Sequence, residues 1–409
     1  MAELGVHYHI VILIMGVIIS LAVMIKAGLE KVGLPALIGY LALGFAIRIA
    51  DDQFNLLTPE GDNILAFMAK LGVFVLLFRV GLESNIRGLL KQFRKASVLW
   101  CSNVLVSGAT GFVTAFYLLA LPLVTSIIVA TALTATSVGV SLAVWEEFGA
   151  LNSKNGQLLV DVAEMDDISA VVFMAMVFTI IGTLNGAPQA AFLTTTLKLT
   201  LFFVLKMTLF GIFCVLFSRF LEPLITGYFR NLKAGPDPML VVVAVGFIIA
   251  AFAALLGFSV AIGAFFAGLV FSRDPNAVKT EASFLPLYEF FCPFFFIGIG
   301  ISMDPGAMKT AFGLGTALLA AAILGKLLAN VVPLWRMIGL PGGLLIGASM
   351  VPRAEISMII MDKGLKAGNW AMAPEVFGAM VIVTAGTCIL SPSVVSTLLK
   401  RWPQQGEDS

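Results

Sequence analysis

Long apolar runs alternate along this chain with short stretches rich in charge, proline and glycine. The apolar windows lie near residues 9–25, 33–50, 63–82, 97–120, 122–145, 156–182, 189–218, 238–256, 258–272, 283–302, 310–333, 341–361 and 374–397. A helix needs about 20 such residues to cross a hydrocarbon layer, so the pattern predicts thirteen transmembrane helices. Connections as short as Leu121-Pro122, or the one around Gly257, predict tightly paired antiparallel neighbours. Composition points the same way. Of 409 residues, 59% are hydrophobic and 12% charged, whereas soluble domains run near 45–50% and about 25%. The expected class is an all-α polytopic membrane protein, with the lipid bilayer as its surroundings.

Basic residues give the predicted helices a direction. One side collects Lys26, Lys31, Arg87, Lys91, Arg94, Lys95, Lys154, Arg219, Arg230, Lys233, Arg273, Lys279, Arg336, Lys400 and Arg401, the other only Lys309, Lys363 and Lys366. This bias puts the C-terminus in the cytoplasm and, with an odd number of spans, the N-terminus outside. The first apolar run lacks a basic flank and a cleavage site, so it reads as a retained helix. A net charge of +1 gives no reason to expect a nucleic-acid partner. Cys101, Cys214, Cys292 and Cys388 are scattered without metal-ligand spacing and read as small apolar residues. His7 and His9 precede the first span. With no Ser/His/Asp arrangement, metal cluster or phosphate loop, neither an enzyme nor a resident cofactor is expected.

Three stretches recur in the same order. PALIGYLALGFAI from Pro35 resembles SVAIGAFFAGLVF from Ser259, FVLLFRVGLES from Phe74 resembles PFFFIGIGISMD from Pro293, and TALTATSVGVS from Thr131 resembles IGASMVPRAEIS from Ile346. The expected units are therefore a first repeat at 1–182, a linker helix and loop at 183–237, a second repeat at 238–397 and a tail at 398–409. An odd number of connections between matching spans inverts one repeat against the other, as in many secondary transporters.

The polar residues left over converge on one depth. The window 156–182 carries Asp161, Glu164, Asp166 and Asp167. An ionised carboxylate near the centre of a bilayer costs at least ~2.5 kcal/mol, and neighbouring acids multiply that cost unless cations or protons neutralise them. Asp166 and Asp167 lie about eleven residues into their window and Lys326 about seventeen into its own, which at ~1.5 Å per residue puts all three near the midplane. Thr134, Thr136, Ser137, Gly139 and Ser141 interrupt another span near its middle; Pro352, Arg353 and Glu355 interrupt a third. Pro352 removes a backbone donor, and unwound backbone at this depth survives only inside protein or along a cavity. Each polar patch is either a kink with hydroxyls bonded back to their own carbonyls or a broken helix offering dipole ends to an ion. Lys326 lies too deep to snorkel and should face an acid, as a permanent ion pair or as a pair that carries protons. The acids themselves sit either in a solvated cavity without a ligand or in a site that exchanges cations and protons, which is the reading adopted.

The set FRVGLES, TATSVGVS, MDDISA, the lone mid-helix lysine after Gly325, and VPRAEISMII resembles the bacterial cation/proton antiporters over nearly the whole chain. It is most similar to the second monovalent cation:proton antiporter family and its thirteen-helix sodium/proton exchangers. The resemblance implies a secondary active antiporter exchanging protons for a monovalent cation, Na+ before Li+ or K+, by alternating access. It implies that Asp167 binds the cation or a proton and that Asp166 pairs with Lys326 in the empty site. Thr136 and Ser137 would then lie beside the ion, and Arg353 and Glu355 would bridge charge around the broken helices. Both acids and the lysine together favour electrogenic exchange. The resemblance further implies a moving core of spans 4–6 and 11–13, a scaffold of spans 1–3 and 8–10, a homodimer, and the bacterial inner membrane. The transported ions replace any cofactor. The family's Pro-Arg-Gly-Glu is changed here at Ala354. Glu164, three residues before Asp167 on the same helix face, reads as an acid supporting the site or a funnel charge; Asp161, nearly opposite, as a funnel charge or an inter-helix pair. Arg48, Lys70, Arg79, Lys198 and Lys206 read as snorkelling or structural, and Glu83 as a cap or salt bridge. Competing functions are a K+/H+ antiporter or K+ efflux system, a sodium-coupled organic-anion symporter, and a non-transporting membrane sensor.

Overall fold

The computed structural model describes residues 2–83, 93–184, 192–230, 238–272 and 277–404. Every regular element among them is helical: α1 (Ala2–Glu30), α2 (Ala36–Phe54), α3 (Pro59–Glu83), α4 (Phe93–Val113), α5 (Leu123–Thr134), α6 (Gly139–Glu147), α7 (Lys154–Leu184), α8 (Phe192–Leu216), α9 (Glu222–Arg230), α10 (Pro238–Leu255), α11 (Val260–Phe271), α12 (Ala277–Ile301), α13 (Met308–Ser349), α14 (Glu355–Ala367) and α15 (Pro374–Arg401). Short π-helical turns extend α4 over Thr114–Leu118 and join α8 to α9 over Phe217–Leu221. Eight helical stretches among the described residues are long and apolar enough to cross a membrane, and Met239–Leu255 and Val260–Phe271 are shorter apolar helices. Ile12, Leu13, Leu201, Leu205, Leu209 and Ile248 turn outward, exposed, as suits a surface that faces lipid tails. Arg87, Lys91, Lys233 and Arg273 of the expected orientation signal, the linker boundary at 237 and residues 405–409 of the tail lie outside the described residues.

Three of the apolar windows differ from the helices that form. The gap expected between 333 and 341 is instead a sharp bend within α13, where Gly339 takes φ 82° and ψ 169°, a conformation glycine adopts without steric cost. The window 341–361 is two helices, because α13 stops at Ser349 and α14 starts at Glu355. The window 122–145 likewise divides into α5 and α6, with Ala135 extended at φ −61° and ψ 142°.

Packing separates the helices into two neighbourhoods. In one, α3 lies against α11 and α12, α12 also against α2, and α10 against α11; in the other, α4, α5, α7, α13, α14 and α15 pack on one another. Small residues set the closest approaches, as expected where backbones must meet within a membrane. At the crossing of α2 and α12, a Cβ on Gly44 would stand 2.1 Å from the carbonyl oxygen of Ile297, and one on Gly300 would stand 2.3 Å from that of Leu41. At the crossing of α3 and α11, Gly81 and Gly268 are each 2.1 Å, by the same measure, from the carbonyl oxygens of Phe265 and Phe78.

Candidate functional site

The two interrupted spans cross each other at their breaks. The Ser137 amide donates to the Pro352 carbonyl at 2.9 Å, and Ser357 Oγ donates to the Ala132 carbonyl at 2.7 Å. Ser137 Oγ donates to the Glu355 carboxylate, and Trp145 Nε1 to Ser349 Oγ at 2.9 Å. Backbone groups that the breaks leave without helical partners are thus partly satisfied across the crossing. Thr134 bonds locally, donating to the Thr131 carbonyl at 2.8 Å.

The two neighbouring acids of α7 have different surroundings. Asp166 is buried, and its Oδ2 accepts from Lys326 Nζ at 2.8 Å, from Thr136 Oγ1 at 2.6 Å and from Asn103 Nδ2. Lys326, with no solvent exposure, also donates to the Thr134 carbonyl at 3.0 Å, at the last residue of α5. A buried ion pair needs such additional hydrogen bonds to offset desolvation. Asn330 completes the cluster one turn beyond Lys326, donating to the Lys326 carbonyl at 2.8 Å and to Asn103 Oδ1 at 3.3 Å.

Asp167 faces open space. It lines a cavity of about 320 Å³ together with Thr136, Ser137, Glu164, Glu355, Arg79 and Glu83. A larger cavity of about 700 Å³ shares Arg79, Gly139, Tyr288 and Glu355 with the first and extends to Lys26, Glu30, Glu147 and Ser396. The larger cavity therefore reaches the ends of α1, α6 and α15 that carry Lys26, Glu147 and Lys400, and the smaller one adjoins it at the four shared residues. A third cavity of about 510 Å³, at Asp62, Lys70, Asp362, Lys363 and Lys366, has no lining residue in common with either.

Of the residues picked out in the sequence, Asp166, Thr136 and Lys326 meet directly, while Asp167, Ser137, Glu164 and Glu355 share the small cavity's wall with Thr136. Around the breaks Glu355 bonds to Ser137, and Arg353 bonds to other partners. It is fully buried, its amide donates to Thr387 Oγ1 at 3.0 Å, and its Nη1 donates to the carbonyls of Met350 and Pro352 at 3.3 and 3.4 Å. The side chain turns back on the carbonyls of the break that precedes it, while Glu355 turns forward to Ser137. Asp161 is half-buried and lines neither cavity near Asp167. Arg79 pairs with Glu83 and lies 4.4 Å from the centre of the Tyr288 ring. Arg48 pairs with Asp52 at 3.0 Å, and Lys206 donates to the Leu256 carbonyl at 2.6 Å. Lys198 is exposed and Lys70 lines the third cavity. Sequence reasoning missed Asn103 and Asn330. The signal was present, since each is a lone amide in an apolar run, SNVLVSG and KLLAN.

The sequence model of a family described as sodium/hydrogen exchanger, transmembrane, matches residues 12–401. The chain is 27% identical over 339 residues to the high-affinity Na(+)/H(+) antiporter NhaS3 of Synechocystis sp., covering 81% of this chain and 70% of that one. It is 26% identical over 368 residues to the Na(+)/H(+)-K(+) antiporter GerN of Bacillus cereus, covering 89% and 90%. The solved structure of the sodium proton antiporter MjNhaP1 from Methanocaldococcus jannaschii at pH 8 superposes with a TM-score of 0.67 at 14% identity, covering 96% and 99% of the two chains. That likeness shows a common fold.

Proposed function

The chain belongs to the sodium/hydrogen exchanger family, and from that premise we propose that it is a secondary active antiporter exchanging protons for a monovalent cation at Asp167. The observation that carries this reading is the division of labour between adjacent acids. Asp166 has one oxygen taken by Lys326, Thr136 and Asn103, whereas Asp167 stands in the wall of a cavity large enough for water and ions. A cation and a proton compete for Asp167, and either one neutralises it. Carrying a bare carboxylate through the bilayer interior is costly, so exchange is obligatory. Thr136 and Ser137 place hydroxyl oxygens at the same wall, and Glu164 and Glu355 add negative charge that draws cations inward. Lys326 holds Asp166 in place and, by giving up its proton during the cycle, makes exchange electrogenic.

Na+ is the first candidate cation, because the named activities of NhaS3 and GerN both include it. K+ is the second reading, favoured by GerN, which is named for both ions. The chain is read as thirteen crossings in two inverted repeats, and the correspondence of the repeats draws support from the glycine crossings. Matching Pro35 with Ser259 pairs Gly44 with Gly268, and matching Phe74 with Pro293 pairs Gly81 with Gly300. Each close crossing is then the image of the other, α2 on α12 and α11 on α3. The packing of α4–α7 with α13–α15 supports a moving core, and that of α2, α3 and α10–α12 a scaffold, through which two copies would form a homodimer in the bacterial inner membrane. In this state the site faces the cytoplasm, the side to which the basic residues assign Lys26 and Lys400.

The deciding experiment is cation-driven proton movement in proteoliposomes, with each alkali cation in turn. Asp167→Asn is expected to abolish exchange while the protein still inserts. Exchange at the wild-type rate in that variant would remove Asp167 from the site.

A further inference from the structure

The cavity beside Asp167 carries the carboxylates of Glu83, Glu164, Asp167 and Glu355. No three of the described acids converge as a metal-holding cluster, but hard divalent cations favour oxygen donors. Mg2+ keeps several of its waters and binds through one or two carboxylates with other oxygen ligands, so the field of these acids attracts it. A site of this composition built for a monovalent ion has to keep divalent ions out. Among the described residues that line this cavity, one is basic: Arg79 of α3. It is fixed from two directions, by the Glu83 carboxylate one turn further along α3 and by the ring of Tyr288 on α12, 4.4 Å from the guanidinium. Arg79, Tyr288 and Glu355 line both the large cavity and the small one, so the guanidinium stands where an ion passes from one to the other.

We propose that Arg79 is a specificity-determining residue: a fixed positive charge at the neck of the cytoplasmic entrance that excludes divalent cations from the Asp167 site. Coulomb repulsion scales with the product of the charges, so one guanidinium opposes Mg2+ or Ca2+ twice as strongly as Na+ at the same position. A partly buried neck screens that repulsion less than bulk water does. Arginine suits the task better than lysine, since it holds its charge at any physiological pH and its planar group stacks on an aromatic face. The identity of the cargo rests on the antiport reading above, but exclusion of divalent ions can be measured by binding alone.

Mn2+, a paramagnetic relative of Mg2+, is titrated against the purified full chain and its free fraction followed by electron paramagnetic resonance. Arg79→Gln is expected to bind Mn2+ about tenfold more tightly than wild type, the effect of one unit charge a few ångströms away. Arg79→Lys should stay near wild type, and Arg79→Gln combined with Asp167→Asn should lose the gain. Equal Mn2+ binding by wild type and Arg79→Gln overturns the proposal. Arg79→Met provides the same comparison if the glutamine variant does not insert. In proteoliposomes, Mg2+ on the cavity side should inhibit Arg79→Gln at about tenfold lower concentration than wild type. A wild-type chain without cation/proton exchange would refute the antiport reading, while the Mn2+ titration would still decide the role of Arg79.

Discussion

Lys326 holds its ammonium 2.8 Å from Asp166 and 3.0 Å from the Thr134 carbonyl, with no access to solvent. Removing one partner of a buried pair leaves an uncompensated charge, at a cost of about 3–5 kcal/mol. Lys326→Ala is therefore expected to lower the thermal denaturation midpoint of the purified protein sharply. Asp166→Asn placed in the same chain should recover much of that loss; a double variant no more stable than Lys326→Ala would show that the lysine's place depends on something other than this acid. Asn103 donates to the same carboxylate from α4, and hydrogen bonds to charged groups contribute about 1.5–3 kcal/mol. Asn103→Leu should be destabilised by about that amount in the same assay, although the residue lies outside the wall that Asp167 lines.

Broken helices and close glycine contacts are properties of whole elements. The break between α5 and α6 and the break between α13 and α14 satisfy one another through Ser137 and Pro352, so neither would be stable alone at membrane depth. The crossing of α3 and α11 tolerates no side chain, since a Cβ on Gly81 would sit 2.1 Å from the Phe265 oxygen. Overpacking of this kind costs about 1–3 kcal/mol. Gly81→Ala and Gly268→Ala are each expected to lower the thermal midpoint, while Gly211→Ala, with nothing within 4 Å of its new Cβ, should leave it unchanged. Equal behaviour of all three would mean that the helices can part there without penalty.

At the scale of the molecule, the adjoining cavities near Asp167 reach the helix ends that carry Lys26 and Lys400, while the third cavity lies at Asp62 and Lys366, by the start of α3 and the end of α14. In a background with the native cysteines replaced, Ser396→Cys should react with a membrane-impermeant thiol reagent only from the side of Lys400 and Arg401. Lys366→Cys should react only from the opposite side. Labelling of both from one side would disprove the separation of the two entrances.

Much of this was legible in the sequence, for reasons that differ by feature. Hydropathy is summed over neighbours along the chain, so the apolar windows could be seen without a fold, and ionisable residues at mid-depth such as Asp166, Asp167 and Lys326 stand out against them. Polar and proline-bearing patches marked Thr136, Ser137 and Pro352 in the same way. What could not be seen is which helices face each other. Asn103 reaches an acid 63 residues away, Arg79 rests on Tyr288 of a distant helix, and neither partnership leaves a trace in local pattern. Even two residues apart, Arg353 and Glu355 part company, because the break points one back to its own carbonyls and the other across to Ser137. The sequence by itself determined an apolar helical chain with a costly charge cluster at its centre, since both follow from the chemistry of side chains along one strand of chain. The family resemblance implied the different roles of Asp166 and Asp167. Only the tertiary structure decided what encloses the one and opens beside the other, since that depends on the donors and the empty space that other helices bring to each side of α7.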